Sequence, residues 1–437
     1  MNRRDFFKNS ASLVGAIALP TIIPASALGR GVRVAPSDKI VMGCIGVGGM
    51  GTGHVRSFLG FDDVHIAAVC DVRRQHAERA KNMVDKKYSQ QSCQIYNDYR
   101  QLLARPDIDA IVNATPDHWH SLIGLEAARQ KIHMYYEKPL TRSIAESQAV
   151  RRAVKDYDVI FQFGTQQRSD QRFRYTCELV RNGKIGDLET IMIGSAQFEP
   201  IGLQPAQPVP DGLDYNMWLG PAPWAPYTQK RCTRNWTLIS DYSLGCLSGA
   251  WGIHSVDIAQ WANRSDDAAP ITTEGWGKAP KKGLYDTYIE WKAEHTYANG
   301  VKLIHMDMET ALKHAKQFEL FWMAILFLGS EGWVYVGRGF LDAHPKSLLN
   351  VKFGPNDERL PVSQDHRRQF LDSVKKHQQP ISHIDSAYYS DITCHHAHIA
   401  MTCGRKLTWN NQTEQFENDV QANRMLRRAM SSPWHTI

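Results

Sequence analysis

The sequence predicts a doubly wound parallel α/β sheet at the front of the chain, joined to a second and larger domain. Two observations predict it. An apolar strand runs straight into a glycine-rich turn and a helix. Short apolar strands then alternate with amphipathic helices as far as residue 163. The 437 residues exceed one ordinary core and suit about two domains.

The first element is an address rather than structure. Arg3 and Arg4 precede Phe6, Phe7 and Lys8, as in a twin-arginine export signal. An apolar stretch from Ala11 to Ile23 follows, and Ala25-Ser26-Ala27 supplies small residues for cleavage. Pro20 and Pro24 interrupt the stretch, which is short for a bilayer span. Residues 1–27 are therefore expected to direct export, with a periplasmic or otherwise exported location and no membrane span after cleavage. A net charge of +6, spread along the chain without a basic run, gives no support to a nucleic-acid partner. Eight cysteines without a C-x-x-C pair suit neither a disulfide scaffold nor a zinc ribbon.

Ile40–Ile45 is the first strand, and Gly46-Val47-Gly48-Gly49-Met50-Gly51 completes G-x-G-x-x-G. In such a turn one glycine bends tightly, one lets backbone approach a pyrophosphate, and one lets helix and strand pack closely. The next strand, His65–Cys70, ends in Asp71, about twenty residues beyond Gly51, where a carboxylate reaches ribose hydroxyls. Asp71 favours NAD over NADP, because it would repel a 2′-phosphate. Arg73 and Arg74 could reverse that preference, but read better as a solvated helix start. Helices at 73–87, 121–130 and 143–157 alternate with strands at 109–114, 132–136 and 159–163. Ligands of such sheets lie beyond the strands' carboxyl ends. The expected nucleotide residues are therefore Gly46, Gly48, Gly49, Met50, Gly51, Asp71, Thr115, Pro116, His118, His120, Glu137, Lys138 and Gln166.

Thr115-Pro116-Asp117-His118-Trp119-His120 and Glu137-Lys138-Pro139-Leu140, with the glycine turn, resemble the Gfo/Idh/MocA oxidoreductase family. Gly164–Ser169, Trp218–Pro221, Gly329–Trp333 and Pro433-Trp434 resemble an exported subgroup of it. The resemblance implies a Rossmann domain over 38–165. Over 166–437 it implies an α+β substrate and oligomerisation domain on an open, mostly antiparallel sheet. It implies that Lys138 lies beside nicotinamide and substrate hydroxyl, that Glu137 holds the nicotinamide ribose, and that Pro139 makes a cis turn. His254 matches the family's second proton-moving residue. Its usual aspartate partner is replaced by Ala250. Asp257, one helical turn beyond His254, could hold the ring instead. The expected catalytic residues are thus Lys138 and His254.

Arg168, Arg231, Trp236 and Asp257 are the candidate substrate contacts. Trp218, Trp224, Tyr227, Trp236, Tyr242, Trp251 and Trp261 crowd the second domain, and aromatic faces suit sugar rings. His395, His396 and His398 fall in one helix, Ser386–Cys403, and read as its buried face, so no metal is assigned. The apolar run Leu320–Leu328 reads as a central strand or subunit contact, hinting at a homo-oligomer. The expected function is NAD-dependent oxidation of a sugar or glycoside with the nucleotide tightly bound. Glycoside cleavage through transient C3 oxidation, and sugar binding without catalysis, are the alternatives.

Overall fold

The computed structural model describes residues 35–316 and 324–435. The expected export segment and the start of the apolar run, residues 320–323, lie outside the described residues. The chain divides into two units, Met1–Lys39 and Ile40–Ile437. The described part of the first is residues 35–39, with one 3-10 turn at Pro36–Asp38. The second carries two sheets.

The first sheet has six parallel strands in the order β3-β2-β1-β4-β5-β6. They are β1 Ile40–Ile45, β2 Val64–Cys70, β3 Gln94–Tyr96, β4 Ala110–Asn113, β5 His133–Tyr136 and β6 Phe161–Phe163. β1, β2 and β4 are apolar and almost wholly buried, as strands covered on both faces must be. Strand order reverses between β1 and β4, the point at which such sheets open a crevice. The helices Asp117–Arg129 and Ile144–Asp156 cover one face, and Gly49–Phe58 and Arg74–Tyr88 the other. The helix His366–Lys376, from far along the chain, returns to this second face. Phe370 stands edge-on to Phe58 and Tyr135 there.

Three elements differ from the sequence reading. The helix expected from Ser121 begins at Asp117, because Pro116 supplies a fixed φ of −62° just before it. β3 and the short helix Tyr99–Leu103 were not foreseen; three and five residues carry too little periodicity.

The second sheet has nine strands in the order β13-β12-β11-β7-β10-β9-β8-β14-β15. They are β7 Leu188–Ser195, β8 Thr272–Lys278, β9 Glu290–Thr296, β10 Lys302–Asp307, β11 Ile325–Gly329, β12 Trp333–Gly337, β13 Phe340–His344, β14 Leu407–Asn410 and β15 Gln415–Phe416. Only β7 and β10 pair in parallel, so the sheet is mixed and mostly antiparallel, as expected. The described end of the apolar run is β11, flanked by β7 and β12 with Ile325, Leu326 and Phe327 fully buried. The helices Ile253–Ala262 and Ile384–Cys403 pack together behind this sheet.

Charge is buried where the two sheets meet. Arg168, 1 % exposed, forks onto Asp257 at 2.8 and 2.9 Å and onto Asp266 at 2.6 and 2.8 Å. Glu146 takes Arg428 at 2.8 and 3.0 Å. Asp391, in the helix Ile384–Cys403, accepts the amides of Leu140 and Thr141 and the hydroxyl of Ser147. All eight cysteines are free thiols.

Several histidines are buried as neutral rings. His305 pairs with Ser195 Oγ and His295 with Thr273 Oγ1, each at 2.8 Å. Burial pushes His295 down to about 3 and His305 and His396 well below the ordinary imidazole value. Below about pH 6.5 the unfolded chain binds protons that these native rings refuse, so stability falls as pH drops and is flat above. We expect the urea midpoint to fall markedly between about pH 7 and about pH 4.5. A midpoint unchanged across that range would contradict buried neutral histidines.

Candidate active site

The glycine turn leaves β1 with Gly46 at φ +77°, its amide donating to Cys70 O at 2.8 Å. A Cβ on Gly46 would lie 2.7 Å from Ala114 backbone, and one on Gly51 would lie 1.9 Å from Gly46 O. These two glycines are required by close approach of backbone. Gly49 differs: nothing lies within 4 Å of its Cβ position, which faces open space. The turn is therefore tight on its protein side and vacant at the start of the helix Gly49–Phe58. That is the shape and polarity of an anion cradle.

This cradle opens into a cavity of about 1460 Å³. The volume exceeds the roughly 300–1,000 Å³ of a single-ligand pocket, leaving room for a dinucleotide and a second molecule beside it. Gly46, Gly48, Gly49, Met50, Asp71, Thr115, Pro116, Glu137, Lys138 and Trp236 all line it. At the far end, Asp71 accepts the amide of Arg73 at 2.8 Å and faces His76 Nδ1 at 3.4 Å. A strap from beyond the first sheet, residues 207–214, crosses that end. Arg74 N donates to Gly212 O at 2.8 Å, Asp214 N to Val72 O at 2.9 Å, and Asn97 Nδ2 to Asp214 Oδ2 at 2.9 Å. Gln207, Pro208 and Pro210 of the same strap line the cavity, and Gln207 N is tied back to Tyr227 O.

The other end is built on the loop after β5, where the Lys138–Pro139 bond is cis. Glu137 is buried, with His54 Nε2 at 2.8 Å and Gln166 Nε2 at 3.3 Å from Oε1. Arg367 Nε donates to His54 Nδ1 at 3.1 Å. Arginine can only donate, so His54 Nδ1 is the acceptor and its Nε2–H points at Glu137. Burial alone would raise the Glu137 pKa. The bond from His54 and the charge of Lys138 outweigh it and hold the carboxyl at about 2. Lys138 Nζ donates to Gly249 O at 2.8 Å. His254 opens the helix Ile253–Ala262 and is buried. Burial, then the charges of Lys138 and Arg338, push its pKa far down and keep the ring neutral.

The structure thus gathers most of the sequence-named residues on one cavity and sends others elsewhere. His118 and His120 are buried behind it. His118 Nε2 meets Trp218 O at 3.0 Å, and His120 lies between the carbonyls of Pro139 and Thr115, joining the two motif loops. Gln166 stands behind Glu137. Three substrate candidates are corrected. Arg168 and Asp257 are spent on each other in the buried ion pair, so Asp257 does not hold His254. Arg231 gives Nη1–H to Tyr242 OH at 3.0 Å and does not line the cavity. Trp236 lines the cavity with Trp218 and Tyr227, whereas Trp224 is 74 % exposed and Trp261 lies under Arg168. His54, Arg367, Asp117 and the strap were missed. Asp117 sat inside a quoted motif, but nothing along the chain links His54 or Arg367 to Glu137. Among the described residues no group of three or more His, Cys, Asp and Glu side chains is placed to hold a metal.

The open side of the turn at Gly49, with a carboxylate at Asp71, fits the pyrophosphate and ribose of NAD. We expect Gly49→Ala to keep the unfolding midpoint, since its Cβ meets no protein atom, while weakening NAD binding about tenfold or more. Calorimetric titration of nucleotide-free protein measures this. Gly51→Ala should not fold, and unchanged NAD affinity in Gly49→Ala would remove the cradle from the nucleotide site.

Comparison with known proteins agrees with this geometry. Residues 40–165 match "Oxidoreductase family, NAD-binding Rossmann fold", and residues 197–436 match "Oxidoreductase family, C-terminal alpha/beta domain". Myo-inositol 2-dehydrogenase of Thermotoga maritima is 30 % identical over 174 residues, 40 % of this chain and 47 % of that protein. Glycosyl hydrolase family 109 protein 1 of Shewanella sp. MR-7 is 27 % identical over 329 residues, 71 % of this chain and 66 % of that protein. The chain thus spans only part of the curated relatives it matches, about half of the inositol dehydrogenase. Aldose-aldose oxidoreductase from Caulobacter crescentus shares the fold, with a TM-score of 0.60 and 16 % identity over 85 % of this chain and 99 % of that one. With an NAD-binding Rossmann domain and the C-terminal domain that accompanies it, this chain belongs to the Gfo/Idh/MocA oxidoreductase family.

Proposed function

We propose that this protein is exported by the twin-arginine route and oxidises a ring carbinol of a sugar or glycoside, keeping its NAD bound through turnover. One observation carries the reading: Lys138 and Glu137 line the same cavity as the glycine turn Gly46–Gly49 and Asp71. Bound NAD supplies a hydride acceptor there.

The chain's own residues do the rest. Glu137, fixed as a carboxylate by His54, presents an acceptor for ribose hydroxyls. Lys138, with one N–H spent on Gly249 O, keeps two for the substrate oxygen and moves its proton. His254 offers a neutral imidazole near Lys138. Trp218, Tyr227 and Trp236 supply aromatic faces for the C–H faces of a pyranose. The strap at 207–214 supports retention, because a nucleotide under it leaves only when those hydrogen bonds break.

Export and retention go together. Retained NAD must be re-oxidised in place, so turnover is redox-neutral. The arginine pair and apolar stretch within residues 1–27 support export. Trp276, half exposed on β8, supports association of the second sheet with another copy. Among the described residues no helix is long and apolar enough to cross a membrane.

A second reading is glycoside cleavage by oxidation, elimination, water addition and reduction. Ala250 favours it, since the family's aspartate for plain dehydrogenation is absent, and so does the similarity to a family 109 glycosyl hydrolase.

Denaturing the purified protein should release NAD, identified by mass spectrometry. Replacing both Asn97 and Asp214 by alanine should lower the amount retained after gel filtration. A panel of pyranosides and aryl glycosides should reduce the bound nucleotide or release aglycone. Lys138→Met should slow that reaction about 10²–10⁴-fold at unchanged nucleotide content. Protein purified without nucleotide, or unresponsive to every sugar, would overturn the reading.

A further inference from the structure

One carboxyl in the cavity has no part in the reading above. Asp117 begins the helix Asp117–Arg129 and is 2 % exposed. It lines the cavity with Lys138, Gly249 and Ala250. Its Oδ2 is buried without a hydrogen-bond partner, and Ser243 Oγ beside it makes no aligned bond either. Both press on Gly249: a Cβ there would lie 2.3 Å from Asp117 Oδ2 and 2.1 Å from Ser243 Oγ. Gly249 is also the residue whose carbonyl takes Lys138 Nζ at 2.8 Å. The Asp117 carboxyl and the Lys138 ammonium therefore meet on one glycine, next to the alanine that replaces the family's aspartate.

The other buried carboxylates at this seam are all answered, Glu137 by His54, Glu146 by Arg428, Asp257 by Arg168 and Asp391 by two amides. We propose that Asp117 is the proton acceptor behind Lys138, taking the place left by Ala250. The proposal rests on the dehydrogenase reading. As the substrate O–H bond breaks, its proton passes to Lys138 Nζ, and the ammonium, turning from Gly249 O to Asp117 Oδ2, gives up one proton there. The O–H electron pair stays on the substrate oxygen, Lys138 keeps its charge, and Asp117 becomes neutral. The reverse transfer accompanies reduction, so the proton stays in the site, as redox-neutral turnover requires.

Lys138, the Ser243 hydroxyl and Arg142 favour the ionised carboxyl, Asp391 opposes it, and Tyr136 is a neutral neighbour. Burial outweighs the two cations and lifts Asp117 to about 7. A carboxyl titrating there holds or yields a proton at little cost.

The test compares wild type with Asp117→Asn, both with nucleotide bound. Infrared difference spectra should show a protonated-carboxyl band growing as pH falls through about 7 in wild type and absent in the variant. Single-turnover reduction by a responsive sugar should be about 100-fold slower in the variant and should lose its pH limb near neutrality. Nucleotide content and unfolding midpoint should not change. If Asp117→Asn does not fold, the band in Lys138→Met decides, because loss of that cation should raise the pH at which the carboxyl protonates. An unmoved band there, or a wild-type rate and limb in Asp117→Asn, overturns this assignment alone. A wild type that no sugar reduces overturns the dehydrogenase reading with it.

Discussion

A carboxylate taken out of water must be answered by donors or cations, and at the seam between the two sheets four are answered by groups from elsewhere in the chain. Glu137 is met by His54, itself fixed by Arg367; Glu146 by Arg428; Asp257 by Arg168; Asp391 by the amides just after Pro139. Removing one partner of such a pair typically costs about 3–5 kcal/mol, since it strands a buried charge. Two of them, Glu137 with His54 and Arg367, and Asp391 with the amides of Leu140 and Thr141, hold the loop after β5 against the helix His366–Lys376 and the helix Ile384–Cys403. Lys138 projects from that loop, so its position follows from them.

The same requirement separates structural charge from reactive charge. Glu137 is so well answered that it stays ionised, which suits an acceptor that must not take up protons during turnover. Asp117 is buried with no aligned hydrogen bond on Oδ2 and is only partly answered by nearby cations, which suits a group that must change its protonation state. Two carboxyls in one cavity thus have environments that push them apart, the arrangement by which one fold runs acid and base chemistry together.

The first sheet was legible because its strands are buried on both faces and read as apolar runs, and because the glycine turn has the right strand in front and carboxylate behind. The convergence of Gly46–Gly49, Asp71, Thr115–Pro116 and Glu137–Lys138 followed from topology, since all lie beyond the carboxyl ends of parallel strands, whereas Gln166, placed there by the same argument, lies outside the cavity lining. The second sheet came from a family resemblance. Strands such as β8 and β9 are half exposed and carry Glu and Lys on one face, so their residues alone did not mark them. Arg168, Asp257 and Arg231 were misread for one reason: a charged residue in sequence does not name its partner, and Arg168 finds Asp257 eighty-nine positions away. His54 was invisible for the same reason. Ala250 was visible, but its consequence appears only when Asp117, from another loop, is seen against Gly249.

The central claim is that a sugar ring hydrogen is transferred as hydride within this one cavity. Incubating the purified protein with a pyranoside deuterated at its ring carbons, then denaturing it and weighing the released nucleotide, tests that claim directly. The account predicts reduced nucleotide heavier by one deuterium. Reduced nucleotide of unlabelled mass, or no reduced nucleotide at any time after mixing with a sugar that is turned over, would contradict it.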